Sequence, residues 1–178
     1  MRERIERHLG QLVYGAIDGT VTTFAVVAAA AGAQLNPLVI IVLGLANLVA
    51  DGFSMGASAY LSAKSERDLE QSHGEGEYQK SPISKGTVTF AAFVVAGFVP
   101  LLAYVVDGIL GLRMDKATLF SISCFLTGAT FMGIGILKGQ LTKTSPLKAA
   151  LETLLLGGIA AGLAYLLGDV LAGALGAK

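Results

Sequence analysis

The stretch GLANLVADGFSMGASAYLSAKSERD, from Gly44 to Asp68, decides the fold class of this chain. Its apolar residues lack the regular alternation that strands of a membrane barrel show over about ten residues. A helix that crosses a hydrocarbon core of about 30 Å needs roughly 20 mostly apolar residues, and residues 38–63 meet that length. We therefore predict a membrane-spanning α-helix over residues 38–63.

Four other segments are long and apolar enough to cross a membrane. They cover residues 12–33, 87–110, 117–137 and 147–175. The third predicted span contains Pro100, which should kink it. The polar residues 64–85 predict a short cytosolic stretch, in which the second helix continues to about Gln71. These features indicate an all-α, polytopic membrane protein with five transmembrane helices in a single membrane domain over residues 1–178, and a dimer is expected.

Composition narrows the functional classes. Hydrophobic residues make up 53% of the chain and charged residues 15%, which is less charge than a soluble domain carries. The 13 basic and 13 acidic residues cancel, so we expect no nucleic-acid partner. The single cysteine, Cys124, rules out a disulfide within the chain. The sequence has no GxxxxGK[ST] or HExxH motif and only two histidines, so neither enzyme activity nor a cofactor is expected.

The positions of Lys and Arg predict the orientation in the membrane, because positive residues are held on the cytoplasmic side. The N-terminal segment and the stretches after the second and fourth spans together carry ten Lys and Arg residues. The opposite side carries three, namely Arg113, Lys116 and Lys178. We therefore predict a cytosolic N-terminus and an outside C-terminus.

Two carboxylates fall within predicted spans, where an ionisable group normally faces the bundle interior or a water-filled route. Asp18 lies in the first span and Asp51 about halfway along the second. Asn47, Met55 and roughly Ser58 lie on the same helical face as Asp51. This mixture of hard and soft ligands suits a divalent metal such as Fe²⁺ or Mn²⁺.

The residues alone leave three interpretations of these groups open. They can form a metal path, a proton relay, or a polar network that only holds two helices together. Glu152, near the cytosolic end of the fifth span, is a weaker candidate for the path. The acidic residues of the cytosolic stretch, from Glu66 to Glu77, either collect cations or form a solvated surface.

Paired glycines with the spacing GxxxG place two small residues on one helical face. Four such pairs occur, Gly15 with Gly19, Gly52 with Gly56, Gly135 with Gly139, and Gly158 with Gly162. They predict close helix packing throughout the bundle. Gly15 and Gly19, beside Asp18, are expected to bring the first spans of two subunits together.

Several segments resemble the vacuolar iron transporter family. They are YGAIDGTVTTFAVVAAAAGA from Tyr14 to Ala33, the Gly44 to Asp68 stretch quoted above, FLTGATFMGIGILKGQLTKTSP from Phe125 to Pro146, and LETLLLGGIAAGLAYLLG from Leu151 to Gly168. The resemblance implies a homodimer of five-helix subunits that moves Fe²⁺, and often Mn²⁺, out of the cytosol in exchange for protons. It also implies that Asp18 and Met55 line the ion path.

The sequence departs from the family pattern at several important places. Asp51 stands where the family's iron transporters usually have a small residue, and Ser58, Ala59 and Tyr60 stand where they often have GEY. Asn47 stands where the family's iron transporters have a glutamate. The stretch between the second and third spans is too short for the large cytosolic metal-binding domain of eukaryotic members, so the chain resembles short prokaryotic members at the plasma membrane. We expect an exporter of divalent metal that uses Asp18, Asn47, Asp51 and Met55. The alternatives are a membrane scaffold that docks an iron-storage protein and a transporter of another cation.

Overall fold

The computed structural model describes residues 8–73 and 81–176. Six α-helices and one 3₁₀ turn make up the fold in these two ranges. The helices are α1 (Leu9–Gly32), α2 (Pro37–Ser72), α3 (Pro82–Gly97), α4 (Leu102–Leu110), α5 (Lys116–Leu141) and α6 (Pro146–Ala174), with the 3₁₀ turn at Val99–Leu101 between α3 and α4. Because α3, the turn and α4 form one interrupted span, five helical segments are long and apolar enough to cross a membrane. The predicted fold class is confirmed.

Helix α1 lies at the centre of the bundle. It packs most extensively against α3 and α6, and it also contacts α2 and α5. Helix α2 packs against α3 on one side of α1, and α5 packs against α6 on the other. Val27 and Phe93 of the core are fully buried, whereas Phe53, Phe125 and many leucines of the outer faces are exposed. Such outward apolar faces suit contact with lipid.

The third span bends at Pro100, as predicted. The α-helix stops at Gly97, and the backbone tightens into the 3₁₀ turn before α4 begins. The Ser123 hydroxyl of α5 donates to the Pro100 carbonyl over 2.6 Å, so a side chain from a neighbouring helix satisfies a backbone acceptor at the kink. The span begins at Pro82 rather than Thr87, because proline is well tolerated at the first position of a helix.

Helix α2 is unbroken from its apolar part into the polar residues that follow Ala63. The Asn36 side chain caps its first turn by accepting from the Leu38 amide, and the helix ends only at Ser72. The predicted continuation to about Gln71 is therefore correct. Residues 74–80, which include Glu75 and Glu77 of the acidic stretch, lie outside the described residues.

The glycine pairs mostly pack within the chain. Gly15 and Gly19 lie against the backbone of α3 at Thr89 and Phe93, so the expectation that they face a second subunit is wrong. A side chain at Gly19 would collide with the Phe93 carbonyl, which means that α3 fills this face of α1. Gly52 with Gly56 also faces α3, and Gly135 with Gly139 faces the start of α6. Gly158 and Gly162 have open space beside them.

Candidate metal path

Asp18 opens onto a cavity of about 470 Å³ between α1 and the C-terminal end of α5. Apolar side chains of α1 form most of the cavity wall. Lys138 of α5 and Thr142, the residue that follows α5, contribute polar groups. Asp18 lies nine residues beyond Leu9, which corresponds to about 14 Å along the helix axis. Its carboxylate is half-buried. The cavity therefore connects this carboxylate with the end of the bundle at which α1 begins and α5 ends.

Asp51 of α2 lies near Asp18 across the contact between α1 and α2. Helices α1 and α2 pack against each other, and the two carboxylates lie within the range of electrostatic interaction. Asp51 itself is exposed at the surface of the subunit. Within the part of the chain that the structure describes, neither carboxylate forms an ion pair.

The three neutral candidates differ in their surroundings. Met55 is half-buried and packs against the core, one turn from Asp51 on the same face of α2. The Asn47 amide nitrogen is buried and has no hydrogen-bond partner among the described residues. An unpaired buried donor of this kind is unusual and calls for a water molecule or another ligand. Ser58 is exposed further along α2.

Glu152 lies apart from these residues. It is exposed on α6, and α6 packs against α1 and α5 rather than α2. It also does not line the cavity that holds Asp18. The structure thus brings Asp18 and Asp51 together, places Met55 and Asn47 on the same helix as Asp51, and leaves Glu152 away from the pair.

Two carboxylates, rather than a larger cluster of metal-binding side chains, form the charged part of the candidate site among the described residues. No group of three or more His, Cys, Asp or Glu side chains that could hold a metal occurs among the described residues. Two carboxylates with nearby oxygen and sulfur atoms can replace part of the hydration shell of a divalent ion. An ion that must pass through needs sites that bind it only weakly. Two carboxylates with neutral neighbours are compatible with this requirement.

Sequence reasoning missed the polar residues that share the Asp18 cavity. In the sequence, Lys138 contributes only to the count of positive residues that predicts the orientation, and no pattern identifies Thr142. Tyr14, one turn before Asp18, lines the same cavity and is largely exposed. Helical spacing could have placed Tyr14 there. No comparable signal exists for Lys138, because spacing within one helix does not give the register between two helices.

Comparison with known proteins gives a consistent result. The sequence model described as the VIT family matches residues 9–80 and 73–169. The vacuolar iron transporter of Plasmodium falciparum (isolate 3D7) is 27% identical, and the alignment covers 92% of this chain and 82% of that protein. The vacuolar iron transporter of Toxoplasma gondii is 28% identical, with 94% and 75% covered. Vacuolar iron transporter homolog 3 of Arabidopsis thaliana is 30% identical, with 86% and 78% covered.

The alignment lengths bear on the segment between α2 and α3. The Plasmodium falciparum alignment extends over 224 residues, more than the 178 residues of this chain, so that relative has residues with no counterpart here. The two matched ranges of the family meet at residues 73–80, between α2 and α3. The alignment with the Arabidopsis thaliana homolog extends over only 161 residues. These observations agree with the prediction that the cytosolic stretch is short.

Proposed function

The chain belongs to the VIT family, and from that premise we propose that it carries divalent metal, Fe²⁺ or Mn²⁺, across the membrane in exchange for protons. The names of the similar proteins describe iron transporters. The observation that carries the proposal is the position of Asp18, an unpaired carboxylate on a membrane-spanning helix that opens onto a cavity. A charged group at such a depth is costly to insert and points to an ion route.

The pair of carboxylates supplies a simple basis for proton exchange. When a divalent cation lies near Asp18 and Asp51, its two positive charges compensate both negative charges. When the cation leaves, a proton can compensate one of the carboxylates, because two like charges in proximity repel each other. Metal and protons therefore compete for the same pair. Asn47 and Met55, one turn before and one turn after Asp51 on α2, supply neutral ligands that determine which ion is preferred.

The proposed direction is from the cytosol to the opposite side. The positive-residue count predicts that the cavity at the start of α1 faces the cytosol. The similar proteins are named as vacuolar, and a vacuolar transporter and a plasma-membrane exporter both remove metal from the cytosol. For this chain we propose the plasma membrane of a prokaryote, with the N-terminus inside and the metal path formed in a homodimer.

Metal uptake into proteoliposomes tests this function. Purified protein is reconstituted into vesicles with an acidic lumen, and Mn²⁺ or anaerobic Fe²⁺ is added outside. We expect the pH gradient to accelerate uptake of Mn²⁺ and Fe²⁺. An excess of K⁺ outside should not compete with either ion. Protein-free vesicles serve as the control. A folded protein that moves none of these ions would contradict the proposal and favour a scaffold that docks an iron-storage protein.

A further inference from the structure

A second, polar cavity lies at the cytosolic ends of α1, α2 and α3. Its volume is about 250 Å³, and the side chains of Gln11, Ser62 and Glu66 contribute to its wall. These side chains offer carboxylate, hydroxyl and amide oxygens, which are the ligands that Mn²⁺ accepts readily. The residues of α2 that line this cavity lie where its polar continuation begins. In the proposed orientation this end of the bundle faces the cytosol, from which the metal ion enters.

Glu66 is already occupied by a cation from the protein itself. The Lys85 Nζ atom of α3 lies 3.1 Å from the Glu66 Oε2 atom, and the Ser62 hydroxyl donates to Oε1 over 3.3 Å. The Lys85 side chain is only 19% exposed, whereas that of Glu66 is 54% exposed. The ammonium group thus approaches from within the protein, and the carboxylate remains accessible from outside. An arriving metal ion must therefore compete with Lys85 for this carboxylate.

The polar cavity is adjacent to the cavity of Asp18. Gly10 and Tyr14 of α1 line both of them, and Asp18 lies one turn beyond Tyr14. A side chain added at Gly10 would meet no atom within 4 Å, so open space extends past this position. An ion that leaves Glu66 can therefore pass around the first turns of α1 to reach Asp18.

We propose that Glu66 is the first carboxylate to bind the metal ion on its way to Asp18, and that Lys85 competes with the ion for this carboxylate. The inference rests on the proposed transport function. When no metal ion is bound, the Lys85 ammonium group compensates the charge of Glu66 in the polar cavity. A divalent ion displaces Lys85, whereas a monovalent ion has no such advantage in charge. The pair thus favours divalent cargo.

The test compares the Mn²⁺ concentration dependence of uptake among four variants in proteoliposomes. Lys85→Met frees Glu66 and should lower the KM for Mn²⁺ by about three- to tenfold, whereas Glu66→Gln should raise the KM by a similar factor. The double variant should behave as Glu66→Gln alone, because Lys85 acts through that carboxylate. Lys64→Met removes the same charge from an exposed site on α2 and should leave the KM unchanged.

A plug at Gly10 tests the connection between the cavities. Gly10→Leu should slow uptake, while Gly133→Leu on α5, where a side chain also meets no atom within 4 Å, should not. Binding of Mn²⁺ to the protein in detergent, followed by electron paramagnetic resonance, gives a readout that does not require transport. There Lys85→Met should bind Mn²⁺ more tightly than the parent, and Lys64→Met should not.

The outcomes distinguish a failure of the proposed transport function from a failure of the proposed role of Glu66 and Lys85. If the parent moves no metal, the transport function is wrong, and the binding measurement still decides the role of Glu66. Parent-like Mn²⁺ binding in Lys85→Met would overturn the inference, as would an effect of Lys85→Met that persists when Glu66 is already glutamine. A change only in melting temperature would show that the ion pair merely joins α2 to α3.

Discussion

At the scale of single residues, Asp18 and Asp51 differ in their surroundings although they lie close together. Asp18 is half-buried in the wall of a cavity, whereas Asp51 is exposed on the outer face of α2. An exposed carboxylate on a membrane-spanning helix is costly if it faces lipid. We therefore expect Asp51 to meet water or a second subunit in the assembled protein. Its substitution distinguishes a role in the path from a structural role.

Asp51→Asn keeps the shape of the side chain and removes its charge. As a member of the path, Asp51 should be needed for metal flux, so the variant should lose at least about tenfold in transport rate while its melting temperature stays close to that of the parent. Flux and melting curves are measured on the same preparations. The opposite pattern, a lower melting temperature with normal flux, would make Asp51 a structural residue.

Met55→Leu tests the soft ligand. Leucine is similar in volume to methionine, so the packing against the core should cost less than about 1.5 kcal/mol. The loss of sulfur should weaken transport of Fe²⁺ relative to Mn²⁺, because the thioether is the soft member of the ligand set. Competition between the two ions in one uptake assay measures this preference. An unchanged preference would place Met55 in packing only.

At the scale of the helices, α1 is the element on which the others assemble. Helix α3 packs against the face of α1 that carries Gly15 and Gly19, and α6 packs at Gly168 against the C-terminal end of α1. Asp18 lies on another face of α1. The close approach of α3 at Gly19 leaves no room for a side chain there. The position of the Asp18 cavity therefore depends on tight packing on the neighbouring face of α1.

Gly19→Ala should destabilise the protein. The added methyl group would collide with the Phe93 carbonyl, and overpacking of this kind costs about 1–3 kcal/mol. The gain from better helix propensity, about 0.5–1 kcal/mol, does not offset it. Gly162→Ala, which has open space on α6, should keep or slightly raise stability. The chain has no tryptophan, so melting is followed by circular dichroism. Equal melting temperatures in both variants would contradict the observed packing.

The positions of the helices along the chain could be predicted from the sequence, but which helix packs against which could not. Length and apolar content indicate five spans, Pro100 predicts the kink, and the polar composition after Ala63 predicts the continuation of α2. The GxxxG spacing of Gly15 and Gly19 identifies a close contact but does not say which helix makes it. The same limit applies to Lys138, which comes from a distant helix. The candidate residues Asp18 and Asp51 could be found because charge within an apolar segment is visible locally.

At the scale of the whole molecule, orientation determines which cavity meets the cytosol. The cavities of Asp18 and Glu66 lie at the same end of the bundle, near the start of α1 and the end of α5. The positive-residue count predicts that this end is cytosolic. In this orientation, a metal ion that leaves the cytosol reaches Glu66 first and Asp18 second. The opposite orientation would reverse this order.

Single cysteines in a Cys124→Ala background test the orientation. Thr144→Cys lies in the connection between α5 and α6, and Leu112→Cys lies between α4 and α5. A membrane-impermeant maleimide should label position 112 in intact cells, and it should reach position 144 only after permeabilisation, because the positive residues hold that loop inside. The reverse pattern of labelling would invert the proposed direction of transport.

The most direct test of the central claim records Mn²⁺ and protons together in the same proteoliposomes. With no pH gradient imposed, Mn²⁺ added outside should enter through the parent protein and drive protons out, so the lumen becomes alkaline as Mn²⁺ accumulates. Asp18→Asn keeps the shape of the side chain and removes the charge that both ions require. We expect this variant to fold normally and to lose both fluxes. Mn²⁺ entry without a luminal pH change in the parent, or parent-like fluxes in Asp18→Asn, would contradict the account.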